Sequence, residues 1–445
     1  MQPLGICCFT SFAAHALQSM GRGAAKEATV TFQQAIQSHV LLLDGAMGTM
    51  LQEKGVLRPG ECPELLNATR PMDVLDIHLA YIDAGADIIT ANTFGAGPLR
   101  LSRFGLDDRM EELTQSAIAL CREAVSGRKR TVFVAASVGP TGELYRSDAD
   151  MPERMYHSFF EQCAAAAAAG ADLILIETMN DLCEARLALI AAHAACRLPV
   201  LCSFTLEPDD NTYAGNPPEV LALCCAKLGA ALTGVNCGLG PDELFLGYSR
   251  LAGASMLPTF ACPNAGLPQN GKYMISPAVM SKAMEPYLHG GASIIGGCCG
   301  TTPTHIQSLR TLLDDCHGHA RRASADGENI CSAAALLPLT ALEPYTTITL
   351  SGLSHTQAEE CILQQARQQR PLHIDFGDWG RDAIRALIWA VLPHIRMTPL
   401  AFHVQNAEQA HAALLAYPGI AAVYAHSDAY RVLKAAVRYG AEVIS

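Results

Sequence analysis

The chain has 445 residues, of which 50% are hydrophobic and 17% are charged, and its formal net charge at pH 7 is -12. This composition provides enough apolar material for a large core, and the acidic balance without any basic run argues against a nucleic-acid partner or an anionic membrane surface. No apolar stretch approaches the roughly 18 uninterrupted residues of a membrane span, so we expect a small molecule or another protein as the partner.

Cysteine usage indicates the compartment. The 17 cysteines are an odd number scattered through helical and strand-like segments, which is typical of a reducing, cytoplasmic environment where most cysteines are small buried hydrophobes. Residues 1–35 contain no basic residue before Arg22, so the charged start of a secretory leader is missing. We expect these residues to form a poorly ordered extension.

From residue 40 onward the chain repeats an apolar strand, a polar loop, an amphipathic helix and a Gly-Ala pair that leads into the next strand. Eight strands are predicted over residues 40–44, 87–90, 131–136, 173–177, 200–205, 231–236, 257–261 and 293–296. Helices are predicted over residues 73–84, 108–125, 152–169, 181–196, 217–228, 242–252, 277–289 and 303–313. Because strands that alternate with helices form parallel β/α units, the sequence predicts a TIM (β/α)8 barrel over residues 36–315.

A second, smaller unit follows the barrel. Residues 316–344 are rich in Gly, Ser, Ala and Pro and are predicted to be a linker. Beyond them, strands are predicted over residues 346–350, 372–376, 400–404, 421–425 and 441–444, with helices over residues 355–368, 381–392, 407–417 and 429–439. Because the sequence ends on the last of these strands, we predict that residues 345–445 form a β/α unit that is only part of a second barrel.

The chemistry of (β/α)8 barrels is carried by loops that follow the carboxyl ends of the strands. Polar or thiol side chains occur at or near these positions for all eight predicted strands: Asp44, Asn92, Ser137, Glu177, Ser203, Asn236 with Cys237, Asn264, and Cys298 with Cys299. Strands six and eight flank strand seven, so the three cysteines can converge on one ion.

Cys298 and Cys299 lie between glycines at a strand-to-helix junction, and Cys237 lies at a similar junction about sixty residues earlier. Three thiolates select zinc and leave its fourth position open for a substrate, which is a catalytic arrangement. The alternative is that the pair packs in a glycine-rich turn, as Cys224 and Cys225 pack in a predicted helix. Spacing alone leaves both interpretations open, because no short Cys-x-x-Cys pair supports the metal.

Two carboxylates lie at the predicted mouth of the barrel. Asp44 precedes a small-residue turn whose backbone N–H groups could bind a carboxylate, although an ordinary capped turn explains the same pattern. Glu177 ends an apolar strand, where a carboxylate needs a cationic partner. Together they suit the ammonium group of an amino acid. His305, near a predicted helix start, is interpreted as local structure.

Six short segments have the residues of one known family. They are residues 44–49 (Asp-Gly-Ala-Met-Gly-Thr), 92–94 (Asn-Thr-Phe), 177–179 (Glu-Thr-Met), 235–237 (Val-Asn-Cys), 263–266 (Pro-Asn-Ala-Gly) and 296–301 (Gly-Gly-Cys-Cys-Gly-Thr). Over residues 40–313 the chain thereby resembles the homocysteine S-methyltransferase barrel. That barrel is shared by betaine-homocysteine methyltransferase, S-methylmethionine-dependent enzymes and the first module of cobalamin-dependent methionine synthase.

The resemblance implies a zinc site formed by Cys237, Cys298 and Cys299. It implies that the sulfur of homocysteine attacks an activated methyl group to give methionine, with no separate general base because the metal has already removed the thiol proton. Asp44 and Glu177 would receive the homocysteine amine, and Asn264 would complete the zinc shell in the absence of substrate. The full set of expected substrate-binding residues is Asp44, Ala46, Gly48, Thr49, Asn92, Glu177, Asn236 and Asn264.

The second unit resembles a shortened pterin-binding barrel, particularly around His373-Ile374-Asp375-Phe376. It departs from that family where folate is held, because residues 351–354 read Ser-Gly-Leu-Ser and Gly377 replaces an expected asparagine. We also expect no cobalamin domain after this unit. We therefore expect the methyl donor to be a methylcorrinoid, such as methylcobalamin, on a separate corrinoid protein, with the C-terminal unit as a remnant or docking platform.

Two alternatives remain from the sequence. Within the same class, the methyl group could come directly from S-methylmethionine or betaine. In a different class, the chain could be a non-catalytic protein that binds zinc or homocysteine and retains only the barrel. Methyl transfer assays with several donors, combined with a zinc measurement, separate these possibilities.

Overall fold

The computed structural model describes residues 30–269, 271–315, 329–342, 346–367 and 371–444. Most of the expected N-terminal extension therefore lies outside the described residues. Helix α1 (Phe32–Ser38) begins inside the expected extension and runs past its end, so the last residues of that extension are ordered. Thr31 caps the helix by accepting a hydrogen bond from the Gln34 N–H. In the described part of the chain, no helix is both long enough and apolar enough to cross a membrane.

Eight parallel strands follow one another around a barrel: β1 (Leu41–Leu42), β2 (Ile88–Ala91), β3 (Phe133–Val138), β4 (Leu173–Met179), β5 (Val200–Phe204), β6 (Leu232–Asn236), β7 (Thr259–Cys262) and β8 (Ala292–Ile295). Strand β1 pairs with β8 through Leu41 and Ile294. A parallel bridge between Leu43 and Ile88 joins β1 to β2 and completes the ring. The predicted barrel is confirmed.

The helices of this first unit surround the strands. After α1 they are α2 (Gly48–Glu53), α3 (Leu66–Thr69), α4 (Pro71–Asp83), α5 (Pro98–Leu101), α6 (Met110–Val125), α7 (Met151–Ala168), α8 (Leu182–Ala195), α9 (Pro218–Lys227), α10 (Pro241–Ala254), α11 (Pro277–His289) and α12 (Pro303–Asp315). Several begin with proline, whose fixed φ and missing N–H suit the first helical position. The short helices α3 and α5 were not predicted, because each is too short to show a helical period.

Alternation along the strands separates two cores. Leu41, Phe133 and Leu175 belong to a cluster inside the barrel, whereas Leu42 and Ile176 belong to the cluster between strands and helices. Phe32 of α1 joins the inner cluster, and its ring meets that of Phe133 edge to face at 5.5 Å between centroids. Helix α1 therefore contributes to the barrel's inner core.

The C-terminal unit contains a hairpin and an open sheet. Its strands are β9 (Asn329–Cys331), β10 (Leu336–Pro338), β11 (Thr347–Thr349), β12 (Leu372–Asp375), β13 (Leu400–Val404), β14 (Ala422–Ala425) and β15 (Glu442–Ile444), and its helices are α13 (His355–Gln365), α14 (Arg381–Val391), α15 (Ala407–Ala416) and α16 (Ala429–Arg438). Strands β11 to β15 are parallel and lie in chain order. Sequential parallel order is that of successive β/α units.

The hairpin of β9 and β10 lies within the stretch that was predicted to be a linker, so part of that stretch has regular structure. Its alternation is too short to be recognised among the surrounding small residues. Ile330 and Leu342 form a cluster with Ala401 and Ala422, which are buried residues of β13 and β14. Segment 329–342 therefore covers part of one face of the open sheet.

The two units share a buried interface. The Arg186 guanidinium on α8 donates to the backbone carbonyls of Tyr417 and Leu414, the latter at 3.2 Å. On the neighbouring helix α9, the Cys224 sulfur lies 3.5 Å from that of Cys331 in β9. The C-terminal unit therefore packs against the outer helical layer of the barrel.

Candidate active site

The carboxyl ends of the barrel strands surround a cavity of about 250 Å³. Ten of the eleven residues predicted as ligands or substrate contacts line it: Asp44, Ala46, Gly48, Thr49, Asn92, Glu177, Asn236, Cys237, Cys298 and Cys299. Asn264 is the exception and lies beside the cavity rather than in its wall. Residues scattered over more than 250 positions of sequence thus meet because parallel strands bring their carboxyl ends to one face.

The three cysteines form one cluster. The Sγ atoms of Cys237, Cys298 and Cys299 all lie within 4.8 Å of one another, and those of Cys237 and Cys299 are 3.8 Å apart. Each of the three is half-buried. Cys237 directly follows β6 and has a left-handed backbone with φ of 60°, a conformation that residues other than glycine seldom adopt.

The loop after β8 is built around Thr301. Its hydroxyl donates to the carbonyl oxygen of Cys298 at 2.7 Å and accepts from the Ala46 N–H at 3.3 Å. A Cβ at Gly297 would lie only 2.4 Å from the Thr301 hydroxyl oxygen, so this position requires glycine. The glycines around the cysteine pair thus allow the backbone to turn tightly.

Without a cation, the three sulfurs share their protons. The Cys299 sulfur accepts hydrogen bonds from the thiols of Cys237 and Cys298, and these bonds lower the pKa of Cys299 to about 3, the bond from Cys237 having the larger effect. The Cys298 thiol donates hydrogen bonds to the sulfurs of Cys237 and Cys299. These bonds, together with burial, raise the pKa of Cys298 well above its ordinary value. Only a cation among the sulfurs allows all three to be ionised together, so the donor set fits a thiophilic divalent metal such as zinc.

Asn264 has an unpaired acceptor next to this cluster. Its amide nitrogen donates to the Gly238 carbonyl at 3.3 Å, whereas its Oδ1 atom is buried without a hydrogen-bond partner. The next residue, Ala265, donates its N–H to the Cys299 carbonyl at 3.0 Å. A buried oxygen without a partner is uncommon in folded proteins. Its presence here suits a weak additional ligand.

Asp44 ends the first barrel segment and is buried. Its two carboxylate oxygens accept hydrogen bonds from the N–H and the hydroxyl of Thr90, each at 2.8 Å. Burial nevertheless raises the pKa of Asp44 to about 8. None of the ion pairs found among the described residues includes Asp44 or Glu177. The site has a buried acid that a cationic group would stabilise in its ionised form.

Glu177 faces the same cavity from β4. It accepts a short hydrogen bond from the Ser137 hydroxyl and one at 3.2 Å from the Asn236 amide. Burial raises the pKa of Glu177 to about 7, against the lowering effect of the Ser137 bond. One buried and one half-buried carboxylate therefore border one cavity, and an ammonium group between them would relieve the desolvation of both.

The two asparagines of the cavity wall already use their amides within the protein. The Asn92 amide nitrogen donates to the Pro63 carbonyl at 2.8 Å and to Asn67 Oδ1 at 2.9 Å. The Asn236 amide bonds to several residues of the site. The expected contact of either side chain with a substrate stays a prediction, and the observed bonds give each a supporting role.

Several site residues were not recognised in the sequence. Thr90 and Thr301 look like ordinary strand and turn residues. Tyr81 lies on α4, where one aromatic residue carries no functional signal, yet its hydroxyl donates to the carbonyls of Ala46 and Thr301 at 2.8 and 3.0 Å. Glu64 also lines the cavity and accepts from the Gly95 N–H at 2.6 Å. Thr90 could have been recognised as a partner of Asp44, because it is a polar residue in the strand next to the one that Asp44 ends.

His305 has the structural role that the sequence favoured. Its Nδ1 lies 2.9 Å from the Thr302 hydroxyl and its Nε2 lies 2.9 Å from the Ile275 carbonyl oxygen. Both ring nitrogens are therefore engaged in connecting the start of α12 to the loop before α11.

The closed barrel, its cavity and the three-cysteine cluster together define an α/β-barrel protein with a thiol-rich active site. A family model described as homocysteine S-methyltransferase matches residues 41–313. The chain therefore belongs to the homocysteine S-methyltransferase family.

Two curated relatives are methionine synthases from mycobacteria. The Mycobacterium tuberculosis protein is 31% identical over 308 residues, which is 65% of this chain and 26% of that protein. The Mycobacterium leprae protein is 30% identical over 305 residues, which is 64% of this chain and 25% of that protein. The chain thus spans about a quarter of the length of these relatives.

One solved structure is matched over nearly all of its own length. The metallated form of the homocysteine methyltransferase MmuM from Escherichia coli is 26% identical, with a TM-score of 0.54, and the match covers 62% of this chain and 96% of that chain. The similarity thus extends over nearly the whole of that enzyme.

Proposed function

We propose that this protein is a zinc-dependent homocysteine S-methyltransferase that forms methionine. The observation that carries the proposal is the single cavity bordered by Cys237, Cys298 and Cys299 on one side and by Asp44 and Glu177 on another. A thiol-activating group and an ammonium-binding group on one cavity match the two ends of homocysteine. The similar E. coli enzyme has been solved in a metallated form, which supports a bound metal in a barrel of this kind.

Zinc held by the three cysteines would lower the pKa of the homocysteine thiol and so supply a nucleophilic sulfur at neutral pH. The remaining work falls to the protein. Asp44 and Glu177 would hold the substrate ammonium group, and Asn264 would contribute its unpaired Oδ1 when no substrate is present.

The turn from Ala46 to Thr49 would orient the carboxylate of the substrate. Its residues line the cavity at the start of α2, where the first N–H groups of a helix have no acceptor within that helix. Tyr81 fixes this turn by donating to the Ala46 carbonyl at 2.8 Å. Amine, carboxylate and thiol would then each have a partner, which would fix the sulfur for an in-line displacement.

For the methyl donor, we propose a methylcorrinoid that is carried on a separate protein. The similarity to two methionine synthases supports a transfer that ends in methionine. The small size of the cavity, about 250 Å³, also suits one amino acid with the methyl group presented from outside.

Direct transfer from S-methylmethionine or betaine is the second candidate. One observation favours it: the match to the E. coli homocysteine methyltransferase covers 96% of that chain, so a barrel of this kind is nearly that entire enzyme. A donor that diffuses into the cavity needs no additional protein.

The C-terminal unit, in this proposal, is a structural or docking element and does not bind methyltetrahydrofolate. The packing of Ile330 and Leu342 against Ala401 and Ala422 supports this role, since it covers sheet surface that would otherwise be available to a ligand. Calorimetric titration with methyltetrahydrofolate should give no saturable heat. Saturable binding that is lost on substitution of Asp375 would contradict this role.

A donor panel tests the proposed reaction. The zinc-loaded protein is incubated with homocysteine and with radiolabelled methylcobalamin, S-methylmethionine or betaine, and labelled methionine is counted. We expect methylcobalamin to be the fastest of the three. Equal or faster transfer from S-methylmethionine or betaine would rule out the corrinoid assignment, and zinc binding without transfer from any donor would favour a non-catalytic protein.

A further inference from the structure

The side-chain amide of Asn236, the last residue of β6, connects the two sides of the cavity. Its Oδ1 accepts hydrogen bonds from the Thr178 backbone N–H at 2.9 Å and from the Ser203 hydroxyl at 2.8 Å. A backbone N–H can only donate, so the oxygen of the amide must face Thr178. The orientation of the amide is therefore fixed by the protein, and its nitrogen points to the other partners.

The amide nitrogen has three acceptors within reach. It lies 2.8 Å from the Thr178 hydroxyl, 3.2 Å from a carboxylate oxygen of Glu177 and 3.8 Å from the Cys298 sulfur. One side chain, buried to 2% exposure, thus touches both the expected ammonium-binding acid and an expected metal ligand. An amide has only two N–H bonds, so these three acceptors compete for them.

The Asn236 amide contacts Thr178, whose backbone has an unusual conformation. Its backbone is left-handed with φ of 61°, which is costly for a β-branched residue. The pairing of β4 with β5 shifts register between Ile176 and Met179, so Glu177 and Thr178 form an irregular step in the strand. Backbone strain of this kind persists only when surrounding contacts enforce it. The Asn236 amide makes two of those contacts, to the N–H and the hydroxyl of the same residue.

We propose that Asn236 is a positioning residue that fixes the Glu177 carboxylate and the Cys298 sulfur in one geometry. The inference rests on the proposed function, since it assigns Glu177 to the homocysteine amine and Cys298 to the metal. Asn236 sets the distance between the two ends of the substrate site without contacting the reacting atoms. The other interpretation is that the amide only satisfies buried polar groups, in which case its loss would affect stability alone.

The test uses Asn236→Ala, the double variant Asn236→Ala with Thr178→Gly, and Asn211→Ala as the matched control. Asn211 is an asparagine on the loop after β5 whose side-chain amide bonds to Asp209. Homocysteine affinity is measured by calorimetry on the zinc-loaded proteins. The thiolate-to-metal charge-transfer band is recorded after replacement of zinc by Co²⁺, which reports the metal–sulfur geometry independently of activity.

We expect Asn236→Ala to weaken homocysteine binding about 10- to 100-fold, as is usual for residues that orient metal ligands, and to shift the Co²⁺ band. Glycine adopts the left-handed conformation without strain, so Thr178→Gly should restore part of the affinity but leave the band shifted. Asn211→Ala should behave like the wild type. If Thr178→Gly restores nothing, the role of the amide in holding Thr178 is wrong.

A folded Asn236→Ala protein with wild-type affinity and a wild-type band would overturn the proposal. If that variant does not fold, Asn236→Asp keeps the acceptor for Thr178 and Ser203 while removing both N–H donors, and the same two measurements decide. A wild-type protein that binds neither metal nor homocysteine would overturn the proposed function itself, and this inference with it.

Discussion

The barrel and the C-terminal unit are both built from alternating β-strands and α-helices, yet they present very different surfaces. In the barrel, β1 meets both β8 and β2, and the carboxyl ends of the strands surround a cavity that holds the cysteine cluster. In the C-terminal unit, the described strands remain an open sheet, part of whose surface is covered by residues 329–342. In the barrel, closure brings loops that are distant in sequence to one place, and the cysteine cluster forms there.

The largest expected effect tests the cysteine side of the barrel. Substituting Cys298 by alanine removes one of three thiolates, and we expect zinc binding to fall below one equivalent and methyl transfer to be lost. Cys361→Ala is the matched control, because Cys361 is a half-buried cysteine on α13 of the C-terminal unit. Metal analysis and a transfer assay measure both variants. Full zinc occupancy in Cys298→Ala would contradict the assigned metal site.

The carboxylate side should show the next largest effect. Asp44→Asn removes a buried charge that we assign to the substrate ammonium group, and loss of one partner of a buried charge pair costs about 2–5 kcal/mol. Homocysteine affinity should fall by roughly 30-fold to several thousand-fold, while zinc content stays the same. Calorimetry of the zinc-loaded variant provides the measurement. Unchanged affinity would show that the amine binds elsewhere.

A substitution at the interface between the two units should lower stability and leave the site in the barrel intact. Arg186→Met removes the guanidinium that donates to the carbonyls of Tyr417 and Leu414, and leaves those buried groups without that donor. We expect a loss of about 2–4 kcal/mol in unfolding free energy, with homocysteine affinity unchanged. Arg128→Met, at a surface ion pair with Asp83, serves as the control in urea unfolding. A loss of affinity in Arg186→Met would instead link the C-terminal unit to catalysis.

The last prediction concerns pH, and its effect is a slope of unfolding free energy per pH unit. The pKa of Asp44 is raised to about 8 in the folded, substrate-free protein, against about 3.9 in an unfolded chain. Between these values the folded state holds the additional proton, so this group makes stability decrease as pH rises, by at most about 1.4 kcal/mol per pH unit. The effect is complete above pH 8.

Asp44→Asn should therefore flatten the dependence of unfolding free energy on pH between about 4 and 8 in the substrate-free protein. The comparison is between slopes, because the substitution also changes the hydrogen bonds to Thr90. Denaturant unfolding at several pH values measures it. Equal slopes in variant and wild type would show that Asp44 is already ionised when the protein folds.

The elements that could be predicted from sequence are those with a strong local signal. The eight barrel strands follow from apolar runs, several of which come after a glycine at the end of the preceding helix. Strand β1 contains only Leu41–Leu42, and Leu43 forms an isolated bridge to Ile88. The cysteine cluster was predictable as one of two interpretations, since its members follow strands that flank a common neighbour. The family resemblance decided between them.

Other features depend on contacts that no local pattern contains. The left-handed backbone of Thr178 is held by an amide 58 residues away in sequence. The hydroxyl of Tyr81 contacts the carbonyls of both Ala46 and Thr301, and Thr301 lies 220 residues after Tyr81 in the sequence. The β9–β10 hairpin packs against residues of β13 and β14, which are distant from it in sequence. Such features arise from tertiary packing, so sequence patterns leave them open.

We propose that the three cysteines hold one zinc ion whose fourth position accepts the sulfur of homocysteine. X-ray absorption at the zinc edge, recorded with and without homocysteine, counts the sulfur ligands directly. We expect three sulfur ligands and one nitrogen or oxygen ligand in the free protein, and four sulfur ligands once homocysteine is bound. A sulfur count that stays at three in the presence of saturating homocysteine would contradict the binding of homocysteine sulfur to the metal.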